Sequence, residues 1–167
     1  MADNEVLVRR ATVGDVAAIT DIYNEAVLTT TATFDIEPRT LEERTAWLTG
    51  YSARFAVLVA EVDGHVVGWT SLRPWSERAG YSDTAETALY VHSAFRGRGI
   101  GRRLKRDQIA EAKRQGFHSL IVRVTTDSAA SIHLNEATGF KLVGTLREVG
   151  RKFDRLLDVH IMQKILD

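Results

Sequence analysis

Between Leu89 and Leu104 the chain reads Leu-Tyr-Val-His-Ser-Ala-Phe-Arg-Gly-Arg-Gly-Ile-Gly-Arg-Arg-Leu. A strand-like segment ends, a glycine-rich turn follows and a helical pattern begins. A helix start leaves backbone N–H groups unpaired and carries about half a positive charge, so such a turn can hold a phosphate. Gly97, Gly99 and Gly101 let the backbone approach an anion with no Cβ in the way, and Arg96, Arg98, Arg102 and Arg103 add guanidinium donors suited to phosphate oxygens. Other glycine-rich phosphate turns fit less well. A P-loop closes on Gly-Lys-Ser/Thr, where this chain has Gly101-Arg102-Arg103. A dinucleotide fingerprint has the spacing Gly-x-Gly-x-x-Gly and an acidic residue ending the next strand, which here ends in Arg123-Val124. A nucleic-acid phosphate patch and a solvated basic helix start are the remaining readings of the turn alone.

The elements that must position this turn follow from periodicity. Val6 to Arg9 reads as a strand. Val16, Ile19, Ile22, Tyr23, Ala26 and Val27 trace a helical stripe, with Asp15 as its N-cap. Thr29 to Thr33 breaks the period as a loop, and Thr40 with Glu43 forms a capping box for a helix over Leu41 to Tyr51. Phe55 to Glu61 and His65 to Leu72 form a hairpin about Asp63-Gly64. Arg73 to Asp83 reads as a long loop and Ala85 to Val91 as a strand. A helix then runs from the turn to about Gln115, with an imperfect stripe at Ile100, Leu104, Ile109 and Ala112 because Gln108 falls where an apolar residue would help. His118 to Val124 is a strand, Ala129 to Thr138 a helix closed by Gly139, and Leu142 to Glu148 and Asp158 to Lys164 are the last strands. The order β-α-α-β-β-β-α-β-α-β-β predicts a mixed α/β fold in one domain over residues 1–167.

Composition narrows the function class. Lys plus Arg and Asp plus Glu are both 22, and a net charge of 0 argues against wholesale attraction to nucleic acid or membrane. With 0 cysteines, disulfides, thiolate metal sites and a cysteine nucleophile are excluded. His65, His92, His118 and His160 have no metal-ligand spacing, so no metal is expected, and no Gly-x-Ser-x-Gly elbow suggests a serine hydrolase. Met1 to Glu5 lacks the basic and apolar blocks of a signal peptide, and no apolar run approaches the ~20 residues of a membrane span, so a cytoplasmic location is expected.

Arg96-Gly-Arg-Gly99-Ile-Gly101, directly after a strand, resembles the pyrophosphate-binding motif Gln/Arg-x-x-Gly-x-Gly/Ala of the GNAT superfamily of N-acetyltransferases. A narrower resemblance covers nearly the whole chain. Thr33-Phe-Asp-Ile-Glu-Pro38, Arg73-Pro-Trp75, Glu86-Thr-Ala-Leu-Tyr-Val91, Gly139-Phe140 and Gly150-Arg-Lys-Phe153 are similar to the phosphinothricin and methionine sulfoximine acetyltransferase group. The resemblance implies a mixed central sheet with a splayed parallel strand pair flanked by helices, and acetyl-CoA as co-substrate. It implies that the backbone of Leu89, Tyr90 and Val91 faces the acetyl and pantetheine arm. It also implies that Arg96, Gly97, Arg98, Gly99, Ile100, Gly101 and Arg102 bind the pyrophosphate, and that Ser128 and Asn135 complete the cofactor site. Arg73, Pro74 and Trp75, with Thr87 and Ala88 opposite, would line the pocket of a small amine. Arg73 could clamp a carboxylate through its planar fork. A homodimer is implied as well.

An amine attacks a thioester only when neutral. If its pKa is about 9.5, reaching the neutral form at pH 7 costs about 3.4 kcal/mol, and a carboxylate near the amine, acting directly or through water, can remove the proton. The resemblance gives that role to Glu86. For the departing thiolate, family members place a tyrosine, or in this group a histidine, where this chain has Asn135. Asparagine is no acid near neutral pH but can donate a hydrogen bond to sulfur. His133, two residues earlier on the same helix, does not share its face. A protein N-terminal acetyltransferase and a non-catalytic acyl-CoA-binding module are the alternative readings.

Overall fold

The computed structural model describes residues 5–167. Residues 1–4, on which the signal-peptide reading partly rests, lie outside the described range. In chain order the elements are β1 (Leu7–Arg10), α1 (Val16–Thr29), α2 (Leu41–Thr49), β2 (Val57–Val62), β3 (His65–Pro74), β4 (Thr84–Val91), α3 (Ile100–Arg114), β5 (Ser119–Thr125), α4 (Ala129–Ala137), β6 (Lys141–Lys152) and β7 (Arg155–Ile165). This is the order expected from periodicity. The strands form a 7-stranded sheet in the order β1-β2-β3-β4-β5-β7-β6.

Apolar stripes decide which helix covers which part of the sheet. Ile19, Ile22, Tyr23 and Val27 of α1 bury against Val57, Val59 and Trp69. Ile100 and Leu104 of α3 pack on Ala60, Val62 and Val67, and Ala112 joins Leu72, Leu120, Val122, Phe140 and Met162. Gln108, the apparent flaw in that stripe, is buried and donates through Nε2 to the Ser71 carbonyl at 2.8 Å. The polar residue is there to satisfy strand backbone under the helix. The capping box that opens α2 is present: Glu43 N–H donates to Thr40 Oγ1 at 3.1 Å and Thr40 N–H to Glu43 Oε2 at 2.8 Å.

Some local expectations need correction. Asp15 is the N-cap residue of α1, as expected, but its side chain makes no capping hydrogen bond to the helix. Its carboxylate accepts from Thr12 N–H at 2.7 Å and pairs with Arg9 at 2.8 Å, which ties β1 to the turn before the helix. The Arg9 guanidinium holds the Asp15 carboxyl below the usual carboxylate range. Arg73 and Pro74 are not loop but the end of β3, opposite Glu86 and Ala85 of β4. Proline is tolerated at that last position because no further rung needs its missing N–H. Finally, α2 stops at Thr49, before Tyr51, while β6 and β7 run further than their alternation suggests and meet at Phe153 and Asp154, both at positive φ (51° and 57°). Such a two-residue turn suits the twist of a long hairpin.

The feature that positions the site lies between β4 and β5. They pair in parallel at Thr84↔Ser119, Ala85↔Leu120 and Glu86↔Ile121. Beyond that rung β4 stays bonded to β3 as far as Val91↔Gly68 but leaves β5, so the sheet opens into a fork whose apex is Glu86 and Thr87.

Candidate active site

The fork holds a cleft with two lobes. One, of about 500 Å³, is lined by Trp75, Glu86, Thr87, Ala88, Lys105 and Asn135 among others. The second, of about 470 Å³, is lined by Val91, Arg96, Gly97, Ile100 and Gly101. Ala32, Leu89, Tyr90, Ser128, Ser131 and Leu134 border both, so the lobes are continuous across the exposed edge of β4. A concave, mostly apolar cleft with few polar groups is the usual form of a small-molecule site.

The second lobe is an anion cradle by construction. The first bond within α3 is Arg103 N–H to Gly99 O at 3.0 Å, so the amides of Ile100, Gly101 and Arg102 open toward the turn. Gly97 and Gly99 have φ of 74° and 80°, the left-handed region glycine enters without penalty. A Cβ on either would meet nothing, which leaves the approach to the helix start clear. Arg96 donates through Nε to the Val91 carbonyl at 3.0 Å, and Arg98 and Arg102 stand exposed beside the turn. These residues fit a phosphate or pyrophosphate group.

The first lobe carries the titratable groups. Glu86 pairs with Arg123 (Oε1 to Nε 3.0 Å, Oε2 to Nη2 3.3 Å) at the lobe's rim. Burial pushes the Glu86 carboxyl up, and the Arg123 guanidinium opposes that rise. Thr87 accepts a hydrogen bond from Lys105 Nζ at 3.0 Å. Asn135 is buried; Nδ2 donates to the Ser131 carbonyl at 2.8 Å, and Oδ1 has no partner among the described residues. A buried acceptor left open where it lines a cavity is one a ligand N–H can satisfy. Ser128 Oγ lies 3.0 Å from Thr125 Oγ1 at the junction of the lobes.

The fork therefore gathers Glu86, Thr87, Ala88, Leu89, Tyr90, Trp75, Ser128 and Asn135, with the Arg96 turn at its far end. Arg73 is not gathered. It lies opposite Glu86 in the ladder, but its guanidinium turns to the carbonyls of Leu72 (2.9 Å) and Phe55 (3.2 Å) and stacks 4.1 Å from the Trp47 ring. Burial lowers its pKa to about 10. Pro74 borders neither lobe and serves to hand the chain to Trp75. Sequence reasoning missed Lys105, Arg123 and the rim Thr31–Phe34. The rim is pinned by Lys152 Nζ donating to the Thr33 carbonyl at 2.8 Å.

Comparison with known proteins gives one answer. The sequence model described as the acetyltransferase (GNAT) family matches residues 19–140. The chain is 40% identical over 164 residues to an L-methionine sulfoximine/L-methionine sulfone acetyltransferase of Salmonella typhimurium, covering 96% of this chain and 94% of that one. The structure of an acetyltransferase from Salmonella typhimurium with its cofactor acetyl-CoA superposes with a TM-score of 0.94 at 39% identity, over 98% of this chain and 95% of the other. That of a ribosomal-protein-alanine N-acetyltransferase from Brucella melitensis does so with a TM-score of 0.93 at 43% identity, over 96% and 99%.

Proposed function

The chain belongs to the acetyltransferase (GNAT) family, and from that premise we propose that it moves acetyl from acetyl-CoA to the primary amine of a small amino acid or an analogue such as methionine sulfoximine or phosphinothricin. The whole chain acts as one catalytic domain. The observation that carries the acceptor reading is Glu86 at the apex of the fork, lining the first lobe beside the edge of β4. In this reading Glu86 takes the proton the amine must lose. Its burial favours that role, because a carboxylate with a raised pKa binds a proton more readily, while Arg123 keeps it ionised before the amine arrives. Trp75, Thr87 and Ala88 wall the acceptor, and backbone N–H groups of β4 freed from β5 orient the acetyl carbonyl. Asn135 binds the pantetheine arm through its open Oδ1. Arg73 acts at one remove, holding the end of β3 against Trp47.

A homodimer is part of the proposal. β6 is an edge strand, and it carries exposed Leu142, Val143, Leu146 and Val149. A second reading has one observation in its favour, the likeness to the Brucella melitensis enzyme named for ribosomal-protein alanine. On that reading the acceptor is a peptide N-terminus.

The test is thiol release from acetyl-CoA with the twenty amino acids, methionine sulfoximine, methionine sulfone, phosphinothricin and peptides beginning with alanine. Turnover is expected on free amino acids or their analogues, and Glu86→Gln should lower kcat ~100-fold or more with the amine KM little changed. Turnover on peptides alone would replace the small-molecule reading. Silence throughout, with CoA still bound, would leave a binding module.

A further inference from the structure

Among the described residues, Lys105 is a cation without an anion. Its side chain is 2% exposed on α3, its Nζ donates to Thr87 Oγ1 at 3.0 Å and lies 4.3 Å from the centre of the Phe140 ring, and it lines the first lobe. No carboxylate contributes to its titration; burial alone sets it. Thr87 is the first residue of β4 past the last rung with β5, so the ammonium stands in the apex of the fork. A lysine is almost never fully buried unless paired, and this one faces a cavity instead of a partner.

We propose, on the acetyltransferase reading above, that Lys105 is the proton donor to the CoA sulfur as it leaves. The other groups around the lobe cannot take that part. Asn135 has no acidic proton near neutral pH. Glu86 serves the amine, Arg123 is engaged with Glu86, and burial pushes the Tyr90 phenol well above its ordinary range. In the step, the bond from the amine nitrogen to the acyl carbon forms and the carbon–sulfur bond breaks, with its electron pair going to sulfur. Lys105 Nζ passes its proton to that sulfur. Glu86, having shed the ammonium's first proton to solvent, accepts the second proton released by the nitrogen. When the products depart, neutral Lys105 is reprotonated from solvent and Glu86 returns its proton there.

The acidity suits the task. Burial lowers Lys105 to about 7, below a free thiol at about 8.5, whereas an ordinary lysine at about 10.4 would keep its proton from the thiolate. The neighbouring charges do not undo this. On β4, Glu86 is paired with Arg123 of β5. On β7, Lys164 Nζ lies against the Gly139 backbone. His133 and Glu136 of α4, and Arg102, Arg103 and Arg106 of α3, are exposed.

Two readouts test it. Ultraviolet absorbance of the thiolate follows the titration of CoA bound to the protein without any turnover. In the wild type the bound thiolate should begin to form below free CoA, but by less than the ~1.5 units that separate the lysine from the thiol, because the ammonium beside it favours the charged form while the sulfur still takes the shared proton. In Lys105→Met that advantage should vanish. In turnover, Lys105→Met should lower kcat ~100-fold with the amine KM unchanged, and the alkaline fall of kcat as the ammonium is lost should disappear. Bound CoA titrating like free CoA in the wild type overturns the donor role, and needs no variant to fold. CoA that fails to bind at all overturns the acetyltransferase reading, and the donor role with it.

Discussion

Glu86 feels two opposed influences, and their balance can be tested separately. Burial raises its pKa and Arg123 lowers it. Removing the cation in Arg123→Gln leaves burial unopposed, so the carboxyl rises further. A base works only above its own pKa, so the acid limb of kcat/KM should move to higher pH, by about 1 unit for a charge at contact distance, and activity lost at neutral pH should return at higher pH. A limb that stays in place would mean that the titrating base is not Glu86. Glu86 itself was legible in the sequence through the company it keeps in Glu86-Thr-Ala-Leu-Tyr-Val91. Arg123 was not, because a charged residue alternating with Val122 and Val124 reads as the wet face of a strand. Lys105 was hidden among Arg102, Arg103, Arg106 and Asp107 on a helix that looks solvated. The signal that would have found it is the pair Lys105 and Gln108, polar residues placed in step with the buried Leu104 and Ala112.

Among the elements, the fork between β4 and β5 and the turn into α3 matter most, and they differ in how far the sequence betrays them. The turn is spelled out by its glycines, and Gly99 carries a sharp expectation. At φ 80° an alanine costs about 1–2 kcal/mol, yet its Cβ would strike no protein atom. Gly99→Ala should therefore relax the turn away from its cradle form and weaken acetyl-CoA binding about tenfold by calorimetry, a tenfold change being 1.36 kcal/mol. At saturating acetyl-CoA the kcat and the amine KM should be unchanged, because Glu86 and Lys105 lie in the other lobe. A fall in kcat with unaltered CoA affinity would contradict the division of the cleft. The fork itself leaves no local mark. Nothing in Thr87 to Val91 says that β5 will part from it, since pairing is a property of two distant segments, and only family resemblance implied it. The long β6–β7 hairpin was underestimated for a local reason: Glu148 sits at φ 48° beside a register shift, which breaks the alternation a strand is read by.

At the scale of the whole molecule, β6 raises the question of what covers it. An edge strand with open backbone groups and apolar side chains is a liability unless it is paired. Here Leu142, Val143, Leu146, Val149, Phe153 and Leu156 are exposed along the β6–β7 hairpin. Leu146 and Val149 also line the first lobe, so whatever covers the hairpin abuts that lobe. A second copy of this chain meeting it there would bury apolar surface and firm up one wall of the pocket together, which a stable interface of about 1,600 Å² could do. Val143 tests this without touching the cleft, as it is exposed and borders neither lobe. Light scattering should find the wild type dimeric at micromolar concentration and Val143→Glu monomeric, because a charge cannot be buried there unpaired. The monomer should bind acetyl-CoA as before, since the second lobe is framed by α1, β4, α3 and α4. Its amine KM should rise as Leu146 and Val149 lose their support. A wild type that is monomeric and fully active would show that the hairpin needs no partner, and that the pocket is complete in one chain.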